Sequence, residues 1–147
     1  MNNMKDCRGG IGMAYLDDLK RQHREIQEII NFLNVNLGEN KVRAEASQLA
    51  QNISILSGKL RMHLLSEDES LYPRLLSGTD VNAKETTERF FKEMGNLSQV
   101  FGAYKVKYNI SSKILSNVEA YITDTKVIIE ALENRISRED TELYTLL

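Results

Sequence analysis

Apolar side chains return every three or four residues along almost the whole chain, and that periodicity belongs to helices that each bury one face. Leu16, Leu19, Ile26, Ile30, Leu33 and Leu37 form one stripe, and Leu49, Ile53, Leu56 and Leu60 a second. Thr87, Phe90, Met94, Leu97, Phe101, Tyr104 and Tyr108 form a third, and Thr125, Ile128, Leu132 and Leu143 a fourth. A sheet protein of this size needs period-two alternation and many turn residues. This chain of 147 residues has one proline and eight glycines. The spacing predicts helices over about Met13 to Leu37, Val42 to Tyr72, Val81 to Tyr108 and Val118 to Leu146. Pro73, which has no backbone N–H to donate, is expected to end the second. Asp80 or Thr79 is a plausible N-cap for the third. The serine-rich stretch from Asn109 to Asn117 carries no clear assignment. The connections are short, so consecutive helices are expected to run antiparallel in an all-α, up-down-up-down four-helix bundle over 13–147, with a flexible N-terminal segment over 1–12. Gly95 and Gly102 fall inside the third helix at a cost of roughly 1 kcal/mol each, which predicts a close neighbour or a bend there.

At one level the apolar stripes turn polar. The first stripe contains His23 between Leu19 and Ile26. The second steps from Leu60 to His63 and then to Glu67, and the fourth passes through Arg135 or Ile136 and then Glu139. An imidazole and a carboxylate four residues apart lie one turn above each other on one helix face, here the inward one. A buried carboxylate without a partner costs several kcal/mol, so a metal ion, a cation or a shared proton must compensate it.

The chain also repeats itself. LRMHLLSEDESLYPRLL, beginning at Leu60, aligns with LENRISREDTELYTLL, beginning at Leu132. Glu67 then meets Glu139, Asp68 meets Asp140, Leu71 meets Leu143 and Tyr72 meets Tyr144. A nearly equal shift pairs Leu19 with Phe90, Ile26 with Leu97 and Ile30 with Phe101. The chain reads as two helical hairpins of one ancestry. Across that pseudo-twofold His63 faces Arg135 and His23 faces Met94, and only the two glutamates are kept in both halves.

His23 in an LxxxHxxI setting, followed by HLLSEDESLYP, resembles the hemerythrin-like family, the HHE cation-binding domains. The resemblance spans about Tyr15 to Leu147. It implies a four-helix bundle with a non-haem di-iron site in its middle. His23, His63, Glu67 and Glu139 match metal-ligand positions of that family. Met94 and Arg135 stand where its ligands are missing, and with no further histidine the usual five-histidine di-iron set cannot be assembled. The implied cofactor is a single iron or other divalent ion, or no ion at all.

Two readings therefore stay open. In one, a reduced site of His23, His63, Glu67 and Glu139 binds one cation in iron or oxygen handling or sensing rather than catalysis, with turnover conceivable only if it holds iron with an open position. In the other, the bundle is metal-free and serves as an interaction or regulatory module, with the Arg135 guanidinium supplying the missing positive charge. Met94 is an apolar filler in either. A histidine phosphotransfer domain is disfavoured, because its histidine must be exposed and His63 lies in the core register. Asp68, Glu69, Asp140 and Glu142 are expected on the solvated face. Tyr72 and Tyr144 are expected to close the bundle with their hydroxyls in water.

Composition limits the partners. With 19 Lys and Arg against 21 Asp and Glu the net charge is -2, and no basic stripe is present for nucleic acid or an anionic membrane. Apolar runs such as Val127 to Ile129 fall far short of the ~20 residues that span a bilayer. The opening MNNMKDCRGGIGMAY has no signal-peptide character. The single cysteine, Cys7, reads as a free thiol, which suits a reducing cytoplasm. A homo-oligomer or a protein partner is left open by the sequence.

Overall fold

A computed structural model of the chain describes the backbone of residues 2–147 and the side chains of residues 13–147. The Cys7 thiol and the side chains of the expected flexible segment 1–12 lie outside the described residues. Helix α1 (Asn2–Val35) is joined by a three-residue connection to α2 (Glu39–Ser66), which bends at the non-helical Glu45. A π-helical turn (Glu67–Leu71) follows directly, then α3 (Tyr72–Leu76). Beyond a turn come α4 (Val81–Tyr108), the short α5 (Ser111–Ser116) and α6 (Val118–Arg138). A second π-helical turn (Glu139–Leu143) and a 3-10 turn (Tyr144–Leu146) end the chain. The long helices form the expected all-α bundle, with α1 against α2 and α6, and α4 against α2 and α6.

The helix ends follow local chemistry. The Asp80 carboxylate accepts from the N–H groups of Asn82 and Ala83, and the Asn117 side-chain oxygen accepts from Ala120 N–H, so α4 and α6 both start on side-chain caps. Gly38 is extended and precedes α2 without a side-chain cap. The unassigned stretch after Asn109 is the helix α5, fixed by Ile114, which is fully buried.

Three expectations change. Pro73 does not end the second helix. It sits in the first turn of α3, immediately after the π turn, where the helical ladder is already offset and its absent N–H is least missed. The first helix stops at Val35 rather than Leu37, so Leu37 is only half-buried against the core. Gly95 and Gly102 have no close neighbour: a Cβ at either would meet open space, and α4 stays helical through both.

The core has two apolar parts. The larger is built from Ile26, Ile30, Leu33, Leu49, Ile53, Leu56, Leu60, Phe101, Tyr104, Tyr121 and Leu132 among others. The smaller contains Leu19, Leu71, Tyr72, Leu75, Phe90, Leu143 and Tyr144. Between Leu19 and Ile26 on α1, between Leu60 and Leu71 beyond α2, and between Leu132 and Leu143 beyond α6, the inward positions are polar. His23, His63, Glu67, Arg135 and Glu139 are all buried there.

Candidate metal centre

The site is assembled at the two π turns. In each, the residue that opens the turn is an inward glutamate whose own N–H bonds back to the helix before it, Glu67 to His63 and Leu64, Glu139 to Arg135 and Ile136. The turn then closes by bonds from Tyr72 N–H to Glu67 O and from Tyr144 N–H to Glu139 O. Such a turn holds one residue more than an α-turn, so the positions four and five beyond the glutamate both face inward. Leu71 and Tyr72 are buried after Glu67, and Leu143 and Tyr144 after Glu139. The sequence repeat is thus a repeat of backbone conformation.

His23 Nε2 lies 2.8 Å from Glu139 Oε1 and 3.2 Å from His63 Nε2, and His63 Nε2 lies 3.1 Å from Glu139 Oε1. The donor atoms of these three side chains lie close enough together to hold one ion. Glu67 stands beside it with Oε2 3.4 Å from His63 Nε2, while its Oε1 is buried with no hydrogen-bond partner. The outer ring nitrogens are both engaged: His23 Nδ1 donates to Asp140 Oδ1 at 3.0 Å, and His63 Nδ1 donates to Gln22 Oε1 at 2.7 Å. In a neutral imidazole, donation from Nδ1 leaves Nε2 as a bare acceptor. Two acceptor nitrogens and a carboxylate oxygen then face one another, an arrangement that only a proton or a cation between them makes favourable. Donors on one ion at about 2.0–2.2 Å stand roughly 3.0–3.5 Å apart, close to the spacing found here. Nδ1 anchored on a carboxylate or amide oxygen is also the usual way a metal-binding histidine is oriented.

Arg135 occupies the other side of the layer. Its Nε donates to Glu139 Oε2 at 2.8 Å, Nη1 to the Phe90 carbonyl at 3.0 Å and Nη2 to the Tyr72 hydroxyl at 3.1 Å. The guanidinium carbon sits 4.6 Å from the centre of the Phe90 ring. Glu139 is therefore shared, one oxygen on the histidines and one on the arginine. Met94 is buried but joins none of these polar contacts. It lines an apolar groove of about 420 Å³ with Leu60, Leu64, Leu97, Phe101 and Leu132.

Burial works against a charge on His63, but hydrogen bonds and charge from Glu139 and Glu67 prevail and hold its pKa up to about 10. Burial and the charge of Glu139 raise the Glu67 carboxyl above its ordinary range. Burial opposes ionisation of Glu139 too, yet hydrogen bonds from His23 and His63 and the charge of Arg135 keep it well below 4.5. The two glutamates that the repeat makes equivalent are thus split by their surroundings.

Four side chains outside the sequence-derived set belong to the site. The Tyr144 hydroxyl donates to Glu67 Oε2 at 3.0 Å and lies within 3.3 Å of both histidine Nε2 atoms. Tyr72 accepts from Arg135, so neither tyrosine ends in water as expected. Asp140, expected on the solvated face, keeps a side chain 40% exposed while bonding His23. Gln22 holds His63. Retention of Tyr and Asp in both halves of the repeat was a usable signal for three of these; nothing in the sequence marked Gln22.

No curated protein and no solved structure matches the chain. The hemerythrin HHE cation binding domain matches residues 15–147, a span that takes in α1 from Tyr15 onward, all of α2, α4 and α6, and both π turns. A chain matched over this length, with its buried His-Glu layer at mid-bundle, belongs to the hemerythrin HHE cation-binding domain family.

Proposed function

We propose that the protein binds a single divalent cation, iron foremost, through His23, His63 and Glu139 with Glu67 alongside, and that it works as an iron- or oxygen-related sensor or binding protein in the cytoplasm. The observation that carries this reading is the convergence of two imidazole Nε2 atoms on Glu139 Oε1 while both Nδ1 atoms are already committed to Asp140 and Gln22. The bound ion would supply Lewis acidity and, if iron, redox capacity. The chain's own residues orient the imidazoles, share Glu139 with Arg135 and exclude water by burial. Arg135 limits the site to one ion: its guanidinium stands on the second half's side of the layer, where a second cation would be repelled. No helix among the described residues is long and apolar enough to cross a membrane.

The metal-free alternative has its own support. The Arg135 bond to Glu139 and the tendency of His63 to hold a proton place two positive charges beside two carboxylates, a balance that needs no ion. Calorimetric titration of metal-free protein with Fe(II) under anaerobic conditions, and with Mn(II), separates the two. Saturation at one ion per chain, abolished in His23→Ala, supports the metal site. Absence of binding heat with either ion, together with unchanged melting, supports the arginine-balanced bundle.

A further inference from the structure

We propose that Tyr144 is itself a ligand, a phenolate that completes the donor set and biases the site toward trivalent iron. The inference rests on the cation-binding reading above and adds to it a residue that no matched ligand position supplies. Its first basis is position. The Tyr144 oxygen is 3.0 Å from His23 Nε2, 3.3 Å from His63 Nε2, 3.2 Å from Glu139 Oε1 and 3.0 Å from Glu67 Oε2. It therefore touches every other inward donor, whereas Glu67 Oε2 approaches the coordinating group only through His63 and Tyr144. Together with His23, His63 and Glu139 it forms four donors whose mutual separations all fall between 2.8 and 3.3 Å. Four mutually adjacent donors describe a closed coordination shell better than three with a hydroxyl looking on.

The second basis is how firmly the oxygen is held. Tyr144 is buried at 3% exposure, its ring lies against His23 with centroids 5.1 Å apart and planes 19° from parallel, and the second π turn fixes its backbone directly beyond Glu139. Tyr72, its mate in the repeat, is turned to Arg135 instead and has no histidine within its hydrogen bonds. The two tyrosines are equivalent by sequence but only one faces the imidazoles.

The chemistry follows from charge. A coordinated acidic donor loses its proton to the field of the ion, as thiols and water do at metal centres. The O–H bond of Tyr144 breaks as the metal–oxygen bond forms, and the proton leaves along the existing hydrogen bond to Glu67 Oε2 and on to solvent, one proton for each ion taken up. A divalent ion beside a neutral phenol and a trivalent ion beside a phenolate leave the same total charge in the layer. The second combination gives a hard cation a second anionic oxygen donor beside Glu139, which favours Fe(III). No electron transfer is needed when iron is supplied already oxidised.

The experiment loads metal-free full-length protein with Fe(III) as its nitrilotriacetate complex, removes excess by gel filtration, and measures iron content separately from spectra. The expected wild-type result is one iron per chain with a visible phenolate-to-iron charge-transfer band and tyrosinate modes in resonance Raman. Tyr144→Phe should lose the band and bind Fe(III) at least about tenfold more weakly, with Tyr72→Phe retaining both. Iron bound by the wild type without the band or the tyrosinate modes would overturn the ligand role and leave the cation-binding reading standing. Failure of the wild type to retain iron, with no heat on Fe(II) or Mn(II) addition, would overturn both. The wild-type spectra decide the matter even if Tyr144→Phe does not fold.

Discussion

Arg135 shows how much one side chain carries in this layer. It is 6% exposed, donates to Glu139, to the Phe90 carbonyl and to the Tyr72 hydroxyl, and stacks its guanidinium over Phe90. Arg135→Ala removes all of these and leaves Glu139 Oε2 buried without its partner, a loss of roughly 3–5 kcal/mol. Arg135→Lys keeps the charge without the planar fork and is expected to cost less. Urea unfolding of both variants checks this, and a loss below about 1 kcal/mol for the alanine would place the side chain in solvent-like surroundings. Much of this layer could be read from residues alone: His23, His63, Glu67, Arg135 and Glu139 all fall on the inward three-four register. Periodicity misplaced Tyr144, whatever the repeat hinted, because an α-helical step from Glu139 through Leu143 points the next residue about 100° away. Asp140 deceived for a related reason. A carboxylate one residue beyond an inward glutamate faces outward by periodicity, yet its reach is long enough to catch the Nδ1 of a histidine on the neighbouring helix.

At the scale of elements, the two π turns decide the geometry. Each adds a residue's worth of rotation, so that a leucine and the tyrosine after it both reach the interior. Thr141 is exposed within the second turn and its side chain bonds only the Ser137 carbonyl. Deleting Thr141 should turn the π turn into an α-turn that carries Leu143 and Tyr144 three and four residues beyond Glu139, both still inward. We expect the near-ultraviolet tyrosine dichroism to be kept in this variant and in Thr141→Ala. Loss of that dichroism in the deletion variant alone would mean that the extra residue of the π turn is needed to hold Tyr144 in the layer. The helices themselves are stapled more lightly. Lys59 of α2 donates to Glu25 of α1 at 2.8 Å, and with Arg21 it lowers the Glu25 pKa from its ordinary 4.5. A depressed carboxyl pKa contributes stability above the ordinary range and loses it as pH falls through the folded value. In Lys59→Met the Glu25 carboxyl should titrate closer to 4.5 by NMR. Both side chains are about a third exposed, so the effect on stability is small. The helices were legible from periodicity, whereas the π turns were not, because Glu-Asp-x-x-Leu-Tyr fits an α-helix equally well until the tyrosine must be placed. The passage through Pro73 was hidden by the same turn.

The molecule as a whole is an apolar bundle divided by one polar layer, and its two hairpins have kept their backbone while losing chemical symmetry. The first half's His63 meets Tyr144 and the second half's Arg135 meets Tyr72, each beside a glutamate that opens a π turn. The bundle was readable because the stripes persist through four long helices; what occupies the layer was not, since a His-His-Glu cluster serves an ion or a proton equally well from sequence. Anything that binds only the folded state stabilises it by mass action, about 2.7 kcal/mol at a hundredfold excess over its dissociation constant. Wild-type melting should therefore rise with added ion and His63→Ala should not respond. The most direct test of the central claim is metal stoichiometry by mass spectrometry on protein loaded with iron and freed of excess. One ion per chain, lost in both His23→Ala and His63→Ala, is the predicted result. Two irons per chain, or an ion retained undiminished by both variants, would contradict the one-cation site built on these histidines and Glu139.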